Sequence, residues 1–278
     1  MRLTHFLTVF ILFILVGCSS LRPTPSEIHS SPLTVFAAAS LTESFTVMAV
    51  EFEISHPEAE VLLNFAGSQT LRVQIEQGAQ ADVFASANQQ HAEALFAANL
   101  IEEPVIFAHN QLVVIMPAAN PASVETLADL AQPNLKLILG GPTVPVGGYA
   151  RQALEKMNGD PVLGSDFSRQ VLDNLVSEED TVKGVVAKVQ LGEADAGIVF
   201  VSDLTPTVAD EVTTLAIPPE FNVVADYPIA IVSDSNRPDR PDRLARQFID
   251  FVLSPQGQNI LAEHNFQPIQ AEAVESKP

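Results

Sequence analysis

The chain has 278 residues, 47% apolar and 17% charged, with 14 Lys and Arg against 34 Asp and Glu and a formal charge of −20. That length suits one large domain or two lobes around a sizeable core. The charge excludes a nucleic-acid or polyanion binder, because phosphate backbones are held by clustered Lys and Arg and no basic run here exceeds two residues. A small anion stays open, since a neutral, donor-rich pocket can hold one locally.

In chain order, the first segment reads as targeting. "MRLTH" carries Arg2, and "FLTVFILFILV" then gives 11 apolar or small residues. That run is too short to span a bilayer and suits the apolar region of a signal peptide. Leu15, Val16 and Gly17 precede Cys18, the only cysteine, in "LVGCSS". This is similar to the bacterial lipobox, after which the cysteine is lipidated. The expectation is a signal peptide over 1–17, a lipid on Cys18 and a Ser/Pro-rich flexible tether over 18–32. A single cysteine allows no internal disulfide.

Folding is expected to start near Leu33. "LTVFAAAS" predicts a strand that runs into a helix reaching about Ser55, with Leu41, Phe45, Ala49 and Phe52 on one face. Ser40 with Glu43 three residues on fits a capping box. "AEVLLNFAGS" reads as a strand, "QTLRVQIEQG" as a helix closed by Gly78, "ADVFASAN" as a strand and "HAEALFAANL" as a helix. "NQLVVIMP" is a strand ended by Pro117, and "LKLIL" is another, followed by a Gly/Pro loop and a helix from about Gly148. Glu178, Glu179 and Asp180 read as acids that complement the dipole of a helix start, ahead of Val182. "AGIVF" and "ADYPIAIV" are strands, and two C-terminal helices break at Ser254-Pro255 before a tail over 271–278. Strands and helices alternating at this spacing predict a parallel α/β sheet.

Small residues gather where strands hand over to helices: Ala39-Ser40, Gly67-Ser68, Val146-Gly147-Gly148 and Asp180-Thr181-Val182. In open α/β sheets ligands bind at the carboxyl ends of strands. Helix N-termini there offer free N–H groups and a positive dipole end. Four such junctions together predict an anion site of N–H and O–H donors. Catalytic signals are missing: there is no GxSxG elbow, P-loop, HExxH, CxxC or EF-hand pattern, and the six histidines lack metal-ligand spacing. The chain therefore reads as a binding protein, not an enzyme.

"TVFAAASL", "FAGSQTLRVQIEQGAQADVFASA", "VPVGGYARQAL", "GEADAGIVF" and "YPIAIV" occur in this order. In that order they resemble the periplasmic molybdate-binding proteins of ABC transporters, the ModA type, from about Leu33 to Pro268. The resemblance implies a two-lobed type II periplasmic-binding-protein fold. Each lobe would be a mixed, mostly parallel sheet flanked by helices, and two crossing strands would form the hinge. Lobe 1 would comprise 33–112 plus 230–270, and lobe 2 would comprise 113–229, with "NQLVVIMP" and "ADYPIAIV" crossing. The resemblance also implies the site: Ser40 and Ser68 as hydroxyl and N–H donors, Val146 and Val182 as N–H donors, and an aromatic after "GIV". The family has Tyr at that last position, and this chain has Phe200. The implied function is an extracytoplasmic lipoprotein, a monomer at the membrane's outer face. It would take molybdate or tungstate to an ABC permease, with no cofactor and no direct protein ligand to the molybdenum. Because Phe200 lacks the hydroxyl, a receptor for another oxyanion such as sulfate is the alternative.

Overall fold

A computed structural model describes residues 32–233 and 242–269. The signal peptide, Cys18 and nearly all of the tether lie outside the described residues, as does the 271–278 tail.

The strands are β1 (Leu33–Ala38), β2 (Val61–Ala66), β3 (Val83–Ala85), β4 (Val105–Asn110), β5 (Leu112–Pro117), β6 (Leu137–Gly140), β7 (Leu175–Glu179), β8 (Ala196–Phe200), β9 (Val212–Ala216), β10 (Ala225–Ile231) and β11 (Gln267–Pro268). The helices are α1 (Thr42–Ser55), α2 (Ser68–Glu76), α3 (Gln89–Ala97), α4 (Pro145–Met157), α5 (Phe167–Leu172), α6 (Val182–Gln190), α7 (Pro206–Glu211), α8 (Asp242–Leu253) and α9 (Pro255–Glu263).

The strands form two mixed sheets, in the orders β11-β4-β10-β3-β1-β2 and β7-β6-β8-β5-β9. In the first, β1 runs parallel to β2 and β3, while β10 is antiparallel to β3 and β4. In the second, β6 runs parallel to β7 and β8, and β5 is antiparallel to β8 and β9. Parallel neighbours need helical crossovers, which fold back over the faces of each sheet. The apolar side of α1 is one such cover: Leu41, Phe45, Met48 and Phe52 are fully buried. Phe45 meets Phe107 and Phe248 with ring centroids 5.7 and 6.0 Å apart.

The chain passes from the first sheet to the second at Gln111, between β4 and β5, and returns over 217–224, between β9 and β10. "NQLVVIMP" thus straddles the passage. "ADYPIAIV" does not: β10 is paired from Ala225 to Ile231 within the first sheet alone. The return lies ahead of the 229/230 boundary expected from sequence, because both edges of β10 find partners on that side. Strand β4 was not evident in the sequence, since "VIFAHN" merges with the run that follows.

Several other elements start elsewhere than expected. A 3-10 turn over Ala39–Leu41 precedes α1, which begins at Thr42 without a side-chain cap. The Ser40–Glu43 capping box is therefore not formed. Helix α4 begins at Pro145, not near Gly148: proline suits the first helical position because its missing N–H has no partner there anyway. Glu178 and Glu179 end strand β7 and do not open a helix. They pair with cations instead, Glu178 with Arg151, and Glu179 with Lys188 at 2.6 Å.

Candidate functional site

Four strands of the two sheets end at one place. Ala38 ends β1, Ala66 ends β2, Gly140 ends β6 and Phe200 ends β8. Around these ends lies a tight cavity of about 10 Å3, lined by Ala38, Ala39, Ser40, Gly67, Ser68, Ala87, Val144, Pro145, Val146, Thr181, Val182 and Phe200. All five residues expected from the sequence line it. Its volume is far below the roughly 300–1,000 Å3 of sites for organic ligands, so it leaves room only for a small ligand. A larger groove of about 570 Å3 along α2 and α3, past Arg72, Gln77 and His91, holds none of the five.

None of the lining residues carries a charge. What the cavity has is helix starts. Ser68 is the first residue of α2, Val182 the first of α6 and Val146 the second of α4, and Ser40 sits in the turn ahead of α1. The opening N–H groups of a helix have no carbonyl within it to bond. Among the described residues, the N–H groups of Ser40, Ser68, Val146 and Val182 have no protein acceptor. Gly147 lets α4 approach β6: a Cβ there would lie 2.1 Å from the Gly140 carbonyl oxygen and 2.2 Å from that of Gly141. Thr181 caps α6 by accepting from the Gly184 N–H at 3.2 Å, which holds Val182 in place.

Both serine hydroxyls are buried and already engaged. Ser68 Oγ accepts from the Ala87 N–H at 3.0 Å. Ser40 Oγ lies 2.9 Å from the Tyr227 hydroxyl. Tyr227 is fully buried, and that burial raises its pKa well above the ordinary phenol value, so it keeps its proton. Asn110, at the end of β4, donates from Nδ2 to the Tyr227 oxygen at 3.3 Å and to Ser202 Oγ at 2.8 Å. Phe200 packs edge-on against Tyr227 and Tyr149, with centroids 5.7 and 6.3 Å apart, and presents no hydroxyl to the cavity.

Three contacts beside the cavity join elements of the two sheets. Gln69 Nε2 on α2 donates to the Asp180 carbonyl at 2.8 Å. His91 Nε2 on α3 donates to the Thr143 carbonyl at 2.9 Å. Lys183 on α6 meets Glu43 on α1 at 2.8 Å, and the Asp203 carboxylate at 3.3 Å. Asp203 is wholly buried, and burial pushes its pKa up to about 6 against the opposing pull of Lys183. The sheets are thus held together around the cavity.

The family model for bacterial extracellular solute-binding proteins matches residues 33–267. The chain is also 37% identical over 257 residues to the molybdate-binding protein ModA of Mycobacterium tuberculosis H37Rv, covering 91% of this chain and 92% of that protein. This chain belongs to the bacterial extracellular solute-binding protein family. Within that family it is of the ModA type. The fold agrees. The periplasmic molybdate-binding protein of Azotobacter vinelandii superposes with a TM-score of 0.71 at 19% identity, over 86% of this chain and all of that one. The sulfate-binding protein SubI of Mycobacterium tuberculosis H37Rv superposes with a TM-score of 0.74 at 18% identity, over 86% and 88% of the two chains. The type II periplasmic-binding-protein fold expected from sequence is therefore present, in a receptor for an extracytoplasmic solute and not in an enzyme.

Sequence reasoning missed three residues at or behind this cavity. Thr181 was seen only as part of a helix start. Tyr227 lies within the strand "YPIAIV", which gives no local sign that its hydroxyl reaches Ser40. Asn110 gave no signal, because a single polar residue where two strands meet looks like a turn. The one available signal was a tyrosine among apolar strand residues, whose hydroxyl needs a partner once buried.

Proposed function

We propose that this solute-binding protein captures molybdate, and tungstate with it, in the cavity between the two sheets and delivers it to an ABC importer. One observation carries the reading: Ser40, Ser68, Val146 and Val182 bring their N–H groups from four helix starts to one cavity with no charged lining. Several partial charges at helix starts can replace the hydration of a dianion without a cationic side chain. A lining of donors alone favours a fully deprotonated oxyanion over hydrogenphosphate, whose own O–H would need an acceptor. The ModA relative supports the choice of oxyanion.

In this reading the lobes close by a hinge at Gln111 and 217–224, and the three contacts between the sheets belong to the closed form. Closure gives the permease a single geometry to recognise. The mature chain is a monomer held at the membrane by a lipid on Cys18, a placement that rests on the lipobox-like "LVGC". A thermal-shift panel with molybdate, tungstate, sulfate and phosphate tests the reading. Molybdate and tungstate are expected to raise Tm by several degrees, since a ligand that binds only the folded state stabilises it by mass action. A rise with sulfate alone would replace molybdate as the ligand.

A further inference from the structure

We propose that Asn110 and Tyr227 are positioning residues that fix the Ser40 hydroxyl as a donor to the bound anion. The inference deepens the oxyanion reading above and rests on it. Each link is set by chemistry that permits one direction. The Gln111 N–H can only donate, and it donates to Asn110 Oδ1 at 2.9 Å. That turns the Asn110 amide so that Nδ2 faces Ser202 and Tyr227. The Tyr227 oxygen therefore accepts, and its own proton has one protein oxygen in reach, Ser40 Oγ at 2.9 Å. Ser40 then accepts from Tyr227. Its own proton has no acceptor among the described residues and is left for a ligand oxygen.

Ser68 reaches the same state by a shorter route, because its oxygen accepts directly from the Ala87 N–H. Both hydroxyls are thus preset as donors before the anion arrives. For Ser40 the setting is done by a chain whose three members, Asn110, Tyr227 and Ser40, are all buried. A hydroxyl fixed in advance loses less freedom on binding than one free to rotate. In this chain Phe200 offers no hydroxyl, so a larger share of side-chain donation falls on the two serines.

The test is a double-mutant cycle with Tyr227→Phe and Ser40→Ala, read by molybdate calorimetry on the full mature chain with its thermal stability followed in parallel. Tyr227→Phe keeps the ring against Phe107, Phe200 and Phe266. It is expected to weaken molybdate about three- to tenfold in the parent chain and to change nothing in the Ser40→Ala background. An equal loss in both backgrounds would show that Tyr227 acts only through packing and would overturn the inference, leaving the oxyanion reading intact. A second measurement needs no ligand: a slowly exchanging Tyr227 hydroxyl proton in the NMR spectrum of the free chain, lost in Ser40→Ala. Its persistence in Ser40→Ala would overturn the hydrogen-bond direction. A parent chain that binds no oxyanion would overturn the reading itself and this inference with it.

Discussion

On the β1–β2 side of the cavity the donors are side chains as well as main chain; on the β6–β8 side they are main chain alone. Ser40 and Ser68 bring hydroxyls, each with a partner behind it. Val146 and Val182 bring only the N–H groups of helix starts, and Phe200 adds an apolar face. The first side is legible in residue identity. The second is not, because any residue but proline carries an N–H. The two sides should therefore answer differently to mutation.

The largest effect is expected where the sides meet. Gly67 has ordinary extended backbone angles, yet a Cβ there would lie 2.5 Å from the Asp180 carbonyl oxygen on the opposite side. Gly67→Ala should leave the fold intact and prop the cleft open, with molybdate affinity falling about a hundredfold or more. Calorimetry measures the loss, and small-angle scattering would show whether the chain stays open with ligand present.

Next come the donors themselves. Ser68→Ala removes a hydroxyl donor to a charged ligand and leaves the Ala87 N–H without its acceptor. A loss of about 1.5–3 kcal/mol of binding is expected, or roughly ten- to a hundredfold. On the other side, Val182→Ala should change affinity little, whereas Val182→Pro should cost as much as Ser68→Ala. Val182 is the first residue of α6 and follows an extended Thr181, so proline fits the backbone there and removes only the N–H. If Val182→Ala and Val182→Pro bind equally well, the main-chain account of that side is wrong.

Phe200→Tyr should sharpen the contrast by adding a hydroxyl to the main-chain side. Affinity is expected to rise, by up to about tenfold. Unchanged affinity in a titration would mean that the four donor residues need no fifth.

The smallest effect is on stability. Burial holds the Asp203 pKa up to about 6, against 3.8 for a free aspartate side chain. The folded state therefore binds a proton that the unfolded chain releases, and stability falls as pH rises from about 4 to about 6. Relative to Asp203→Asn, the parent chain should lose a few degrees of Tm across that window. Parallel Tm curves for the two chains would show that Lys183 already compensates the carboxylate.

Much of this arrangement could be read from the chain beforehand. Strand-to-helix junctions carry local signals, Gly-Ser at 67–68 and Thr181 before Val182, so Ser40, Ser68, Val146 and Val182 stood out locally, whereas Phe200 and the role of each of the five came from the family resemblance. The α/β alternation predicted parallel pairing, which holds for β1 with β2 and β3 and for β6 with β7 and β8, while β4, β5, β9, β10 and β11 pair antiparallel. What escaped was non-local. The role of β10 depends on pairing with β3 and β4, which are distant in sequence. Ser40 looked like a helix cap because its local motif fits one, but a tertiary partner 187 residues away took its hydroxyl. Glu43 likewise left the capping box for Lys183. Short-range propensity proposed partners that long-range contacts replaced.

The central claim is that neutral donors from both sides hold a fully deprotonated oxyanion. Calorimetric titration of the chain from about Ser26 with molybdate, tungstate, sulfate and phosphate tests it most directly. The account predicts tight one-to-one binding of molybdate and tungstate, with no heat from phosphate at neutral pH. Binding of phosphate in preference to molybdate would contradict it, because hydrogenphosphate brings a proton that this lining has no buried acceptor to receive.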